Sequence, residues 1–128
     1  MTTRLLARRA DFEVAIQDVH NNAKPGAYTG EIAPYMVKDI GLKYVVVGHS
    51  ERRNGGGGSC GGACEAPEFI ADKVKKVLEE GLSVVYCIGE EKDARVAGDQ
   101  EKVCAAQMKT LLDAGIVAEW GERIVVRS

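Results

Sequence analysis

Apolar residues fall along this chain in two alternating rhythms, short continuous runs and longer stretches with helical spacing, a pattern that predicts parallel strands joined by crossover helices. Residues 12–17 (FEVAIQ) alternate as a half-buried strand does, and the polar DVHNNAKPGAYTG after them has the Asn, Pro and Gly of a structured loop. A short helix is predicted from Pro34, where a missing N–H costs nothing, to a stop at Gly41. Residues 43–47 are rich in β-branched side chains, as suits a strand covered on both faces. Residues 68–80 then set Ile70, Val74, Val77 and Leu78 on one helical face, and Gly81 ends that helix. A third strand is predicted over residues 83–88. Asp99 can cap a helix whose Cys104, Met108, Leu111 and Leu112 share a face, and residues 124–126 begin a fourth strand. The fold class is therefore α/β: about four parallel strands with right-handed crossover helices, half of an eight-stranded barrel of about 250 residues.

Composition narrows this picture. A chain of 128 residues with 45% hydrophobic side chains supports one core, so residues 1–128 are expected to form a single domain, incomplete as a barrel. The formal net charge of -2 and pI near 5.7 provide no single-sign field, so neither nucleic acid nor an anionic membrane is an expected partner. No apolar run approaches the roughly 20 residues of a membrane helix. Residues 1–10 carry three arginines and no acid, but lead directly into patterned sequence, which favours a remnant helix or loop over a transit peptide. Four cysteines without a secretory apolar segment point to free thiols and a cytoplasmic location.

Reactive groups of βα barrels sit just past the carboxyl ends of the strands. That rule singles out His49, Ser50, Glu51, Arg52 and Arg53 after the second strand, and Gly89 and Glu90 after the third. A lone histidine in such a place is often only a hydrogen-bonded structural residue. Here, however, the string GHSERR is preceded by AYTGEIAPYMVKDIGLKY and followed by FIADKVKKVLEEGLSVVYCIGEE and AGDQEKV. In that order, over roughly residues 11–126, the chain resembles the triosephosphate isomerase family. The resemblance implies a partial (β/α)8 TIM barrel. It also implies a cofactor-free, metal-free aldose–ketose isomerisation of glycolysis and gluconeogenesis, in which dihydroxyacetone phosphate and glyceraldehyde 3-phosphate interconvert through an enediolate. In that family, itself a worked example of pKa tuning, a neutral histidine polarises the carbonyl beside a glutamate base.

By resemblance, His49 is the electrophile, Glu51 matches the carboxylate supporting the family's active-site lysine, and Ser50 lies near the resting base. Glu90 matches a residue near the hinge of the mobile lid. Thr29 falls in the long loop that enters the neighbouring subunit's active site. Glu31 matches an acid that pairs across the dimer with the arginine at the position of Arg52, so a homodimer is implied. Cys87 matches a buried structural thiol, which is also the ordinary reading of a strand cysteine.

The sequence departs from the family in three ways. The asparagine and lysine that end the family's first strand have no counterpart. Where the family continues into a Tyr-Glu-Pro turn bearing the base and the lid, the sequence has Arg127 and Ser128, with no glycine-rich phosphate turns. Base assistance is worth about 10² to 10⁴ in rate, so the 128-residue chain is expected to be catalytically silent alone. The alternative is a non-catalytic half-barrel interaction module, whose unpaired sheet edges would favour self-association. Finally, residues 54–66 (NGGGGSCGGACEA) stand where the family's arginines run straight into a helix, and are expected to form a flexible insertion that shortens any helical turn begun at His49. Within it Gly56, Gly58 and Gly61 satisfy G-x-G-x-x-G, but too far beyond the strand end for a dinucleotide turn. Cys60 and Cys64 make at most half a zinc site, and a loop with two reactive thiols is the favoured reading.

Overall fold

The computed structural model describes residues 13–53, 64–89, 98–116 and 120–127. Four strands, β1 (Ala15–Ile16), β2 (Tyr44–Val47), β3 (Ser83–Cys87) and β4 (Ile124–Arg127), form one sheet in the order β1-β2-β3-β4. Each neighbouring pair is parallel. The helices are α1 (Pro34–Asp39), α2 (Ser50–Arg53), α3 (Pro67–Glu79), α4 (Gln100–Asp113) and α5 (Trp120–Arg123). Parallel neighbours in sequence order require a crossover between each pair, as the alternating pattern predicted.

Alternation within the strands decides where the core lies. Val45 and Val47 of β2 are fully buried and stand in register with the equally buried Val84 and Tyr86 of β3. Ile70, Val74, Val77 and Leu78 of α3 belong to the same apolar cluster, joined by Leu111 of α4 and by Val19, Leu82 and Ile116 from the connections. Burying each such aliphatic side chain contributes about 1.5–3 kcal/mol. Helix α3 starts at Pro67, whose fixed φ and missing N–H suit the first helical position. It stops where Gly81 takes a φ of 82° and donates its N–H to the carbonyl of Leu78.

Three expectations are corrected. Of the predicted strand over residues 12–17, residue 12 lies outside the described residues, and among residues 13–17 strand β1 takes only Ala15–Ile16; beyond it, Asp18 is engaged by cations from α2 and α3 rather than by the ladder. Asp99 precedes α4 as predicted but makes no side-chain capping bond. Its φ of −95° and ψ of 11° lack the extended geometry that aims a capping carboxylate at the first free N–H groups. Leu112 does not share the buried face: Leu111 is fully buried while Leu112 is 47% exposed. One residue is a rotation of about 100°, and α4 meets the core along a stripe too narrow to cover both.

Candidate functional site

Strand β2 ends at Val47, and Gly48 turns the chain out of the sheet with a φ of +83°. A Cβ at Gly48 would stand 2.6 Å from Arg53 Nη2 and 2.8 Å from the carbonyl oxygen of Cys87, so the turn requires glycine both for its dihedral and for its closeness. His49 follows, and its carbonyl accepts the N–H groups of Arg52 at 2.8 Å and Arg53 at 3.1 Å, which starts α2. The Glu51 N–H donates to His49 Nδ1 at 3.3 Å. A nitrogen that accepts carries no proton, so Nε2 is left as the N–H donor of the ring. The Glu51 carboxylate lies 3.7 Å from the same Nδ1, too far to hydrogen-bond, and the amide therefore sets the tautomer. Ser50 opens α2 from an exposed position.

A cavity of about 230 Å³ lies at this carboxyl edge, lined by Gln17, Asp18, His49, Glu51 and Arg52. A larger one, about 330 Å³, sits between α3 and α4 and includes none of these residues. Position at the strand ends, with an oriented imidazole, identifies the smaller cavity as the candidate site.

Arg52 and Asp18 also belong to a charged cluster that the sequence reading did not single out. Lys73, on the inward face of α3, is 1% exposed. Its Nζ lies 2.5 Å from Glu65 Oε2 and 3.0 Å from Asp18 Oδ1. Arg52 Nη2 donates to Glu65 Oε2 at 2.8 Å, and Arg52 Nε lies 3.1 Å from Asp18 Oδ2. Two cations thus alternate with two anions, the condition under which buried charge is tolerated. Burial opposes ionisation of Glu65, but the hydrogen bonds and charges of Arg52 and Lys73 outweigh it and hold the carboxyl below its ordinary range. The readable signal was Lys73 itself, a charge inside the apolar stripe of Ile70, Val74 and Val77. Residues 54–63, with Cys60 and the three motif glycines, lie outside the described residues, as does Glu90. Of the segment expected to be flexible, residues 64–66 are described, where Glu65 is buried and its N–H donates to the carbonyl of Arg52 at 2.9 Å.

The connection between β1 and α1 is closed by the His20 N–H donating to Ile32 O at 2.8 Å, with the His20 ring centred 5.2 Å from that of Tyr28. Thr29 and Glu31 are exposed on it. Arg52, expected to meet an acid across a dimer, is already tied to Asp18 and Glu65 within its own chain. Cys87 is half-buried; burial pushes its thiol up, while the guanidinium groups of Arg53 and Arg127 pull the other way.

A parallel βα sheet with an imidazole oriented by the next helix's first amides, beside a cavity at the carboxyl edge, defines a segment of a βα-barrel protein with its reactive groups at the strand ends. A family model described as triosephosphate isomerase matches residues 2–126. The chain is also 41% identical over 118 residues to a triosephosphate isomerase of Neurospora crassa, an alignment that covers 92% of this chain and 44% of the relative. The chain belongs to the triosephosphate isomerase family, and it spans less than half the length of the curated relative it matches. Among the described residues no helix is long and apolar enough to cross a membrane.

Proposed function

We propose that these residues supply the carbonyl-polarising part of a triose-phosphate isomerase, with His49 as the electrophile for interconversion of dihydroxyacetone phosphate and glyceraldehyde 3-phosphate. The observation that carries the reading is the Glu51 N–H bonded to His49 Nδ1, which leaves Nε2–H to donate to an oxygen developing negative charge in an enediolate-like transition state. Glu51 and Ser50 act as supporting residues beside it. Proton transfer between the two carbons needs a carboxylate base and a phosphate grip in addition, and the 128-residue polypeptide alone does not turn over.

The same reading makes the protein a cytoplasmic homodimer, with Thr29, Glu31 and Arg52 at the subunit contact. Exposed apolar side chains support this: Tyr28 and Ile32 in the loop, and Met36 and Ile40 at α1, each leave a large apolar surface open to solvent within one short stretch of chain. A coupled isomerase assay of the 128-residue chain, alone and mixed with the remaining barrel segments of the Neurospora crassa relative, tests the proposal. No turnover is expected alone, turnover in the mixture, and a loss of about 10² to 10³ when the chain carries His49→Gln. Family-like turnover by the chain alone, or a mixture indifferent to His49→Gln, would contradict it.

A further inference from the structure

We propose that Arg53 is a positioning residue whose guanidinium braces the carboxyl ends of β2 and β3 against each other and thereby fixes the orientation of His49. The β2–β3 ladder ends with Val47 beside Tyr86, so Gly48 and Cys87 are the next residues out. Arg53 spans them: Nε donates to Gly48 O at 2.8 Å and Nη2 to Cys87 O at 2.9 Å. Its guanidinium carbon lies 5.2 Å from the centre of the Tyr86 ring, which is fully buried. The bare Cα of Gly48 is what allows the group to lie so close.

The peptide that Arg53 holds is the one entering His49, and the Arg53 N–H also bonds the His49 carbonyl at 3.1 Å. Backbone on both sides of the imidazole is therefore referred to β3 through one residue, on the Gly48 side by its guanidinium and on the His49 carbonyl by its own N–H. A second brace continues the chain of contacts across β3. Tyr86 donates its hydroxyl to Gln107 O at 2.8 Å. The Gln107 side chain accepts the Gly89 N–H at 2.9 Å and donates to Gly89 O at 2.8 Å, so both strand-end turns are fastened to helices. Lysine cannot replace Arg53 here, because a single ammonium lacks the planar fork that reaches two carbonyls from beside an aromatic ring. Arg53 touches no reacting atom; it acts through His49.

This inference rests on the reading of His49 as the electrophile, but its test needs no turnover. The full 128-residue chain is prepared as wild type, Arg53→Met and Arg53→Lys, with His49→Gln to assign the ring signals. Imidazole ¹⁵N shifts and exchange of the Glu51 amide are then measured, alongside thermal melts. Wild type is expected to show one Nε2–H tautomer at His49. In Arg53→Lys and Arg53→Met the two ring-nitrogen shifts converge toward those of free imidazole, the Glu51 amide exchanges at least about tenfold faster, and His20 is unchanged. Unaltered His49 shifts and Glu51 exchange in a folded Arg53→Met chain would overturn the proposal, leaving Arg53 as a strand fastener only. If Arg53→Met does not fold, Arg53→Lys decides by the same two readouts. Failure here leaves the isomerase reading standing, and a failed isomerase assay leaves the brace standing.

Discussion

Replacing Glu65 by glutamine keeps the shape of the side chain and removes its charge, at the centre of a cluster that holds α2, α3 and the exit of β1 together. The carboxylate accepts from Arg52 at 2.8 Å and from Lys73 at 2.5 Å, and its side chain is only 4% exposed. Breaking a buried pair by neutralising one partner costs about 3–5 kcal/mol, because the other charge is left without compensation. Lys73 keeps Asp18 as a second anion, with oxygens at 3.0 and 3.2 Å, which places Glu65→Gln at the lower end, about 3 kcal/mol. That is a fall of roughly 10 °C in Tm for a domain of this size. Lys73→Met should cost a similar amount. The double variant retains Arg52 with Asp18 as a neutral pair, and should cost no more than either single change, a coupling of about 3 kcal/mol. Urea unfolding followed by circular dichroism gives all three midpoints. The pH dependence has a definite sign: folding holds the Glu65 carboxyl below its ordinary value, so its contribution is full above about pH 4.3 and is lost as the pH falls toward the folded pKa. Glu65→Gln should remove that acid-side slope. Additive single costs, or a Glu65→Gln loss under about 1 kcal/mol, would refute the view that this cluster fixes the site.

Gly48→Ala adds the strain of a left-handed residue to a collision with the Cys87 carbonyl, a backbone group that cannot swing away. It should lower stability by about 2–4 kcal/mol in the same urea experiment, and a loss within about 0.5 kcal/mol would show that the two strand ends part without cost. Burial raises the Cys87 thiol above its ordinary value, so at neutral pH it should be alkylated by iodoacetamide at least about tenfold more slowly than the exposed Cys64, as read by peptide mass mapping. Equal rates in the folded chain would contradict the burial. For the same reason Cys87 favours the folded state below its ordinary pKa, and that contribution is lost as the pH rises through the folded value.

The core and the order of elements were legible because each rests on a local rule that tertiary contacts then reinforce. Val45 and Val47 alternate with less buried neighbours, and Ile70, Val74 and Val77 repeat at helical spacing; burial of both sets against one another needs no other information. Pro67 and Gly81 bound α3 by backbone geometry alone. Position after β2 likewise exposed His49, since a barrel strand delivers its next residue to the carboxyl edge. What the sequence could not show is how that imidazole is held. Arg53 looks like one more exposed arginine until β3 brings the Cys87 carbonyl to within 2.9 Å of it. Glu65 sits at the end of a glycine-rich stretch that reads as solvent, and becomes a buried acid only because Lys73 arrives from α3 and Arg52 from α2. Leu112 fails in the opposite direction, an apolar residue left exposed because α4 meets the core along one narrow stripe. Two of the contacts around the candidate site join residues distant in sequence, 34 residues for Arg53 and Cys87 and 55 for Lys73 and Asp18, and no short stretch of the chain contains both members of such a pair. In this chain the place of His49 at the carboxyl edge follows from its strand, whereas Arg53 and Glu65 near it meet their partners only when the sheet and α3 assemble.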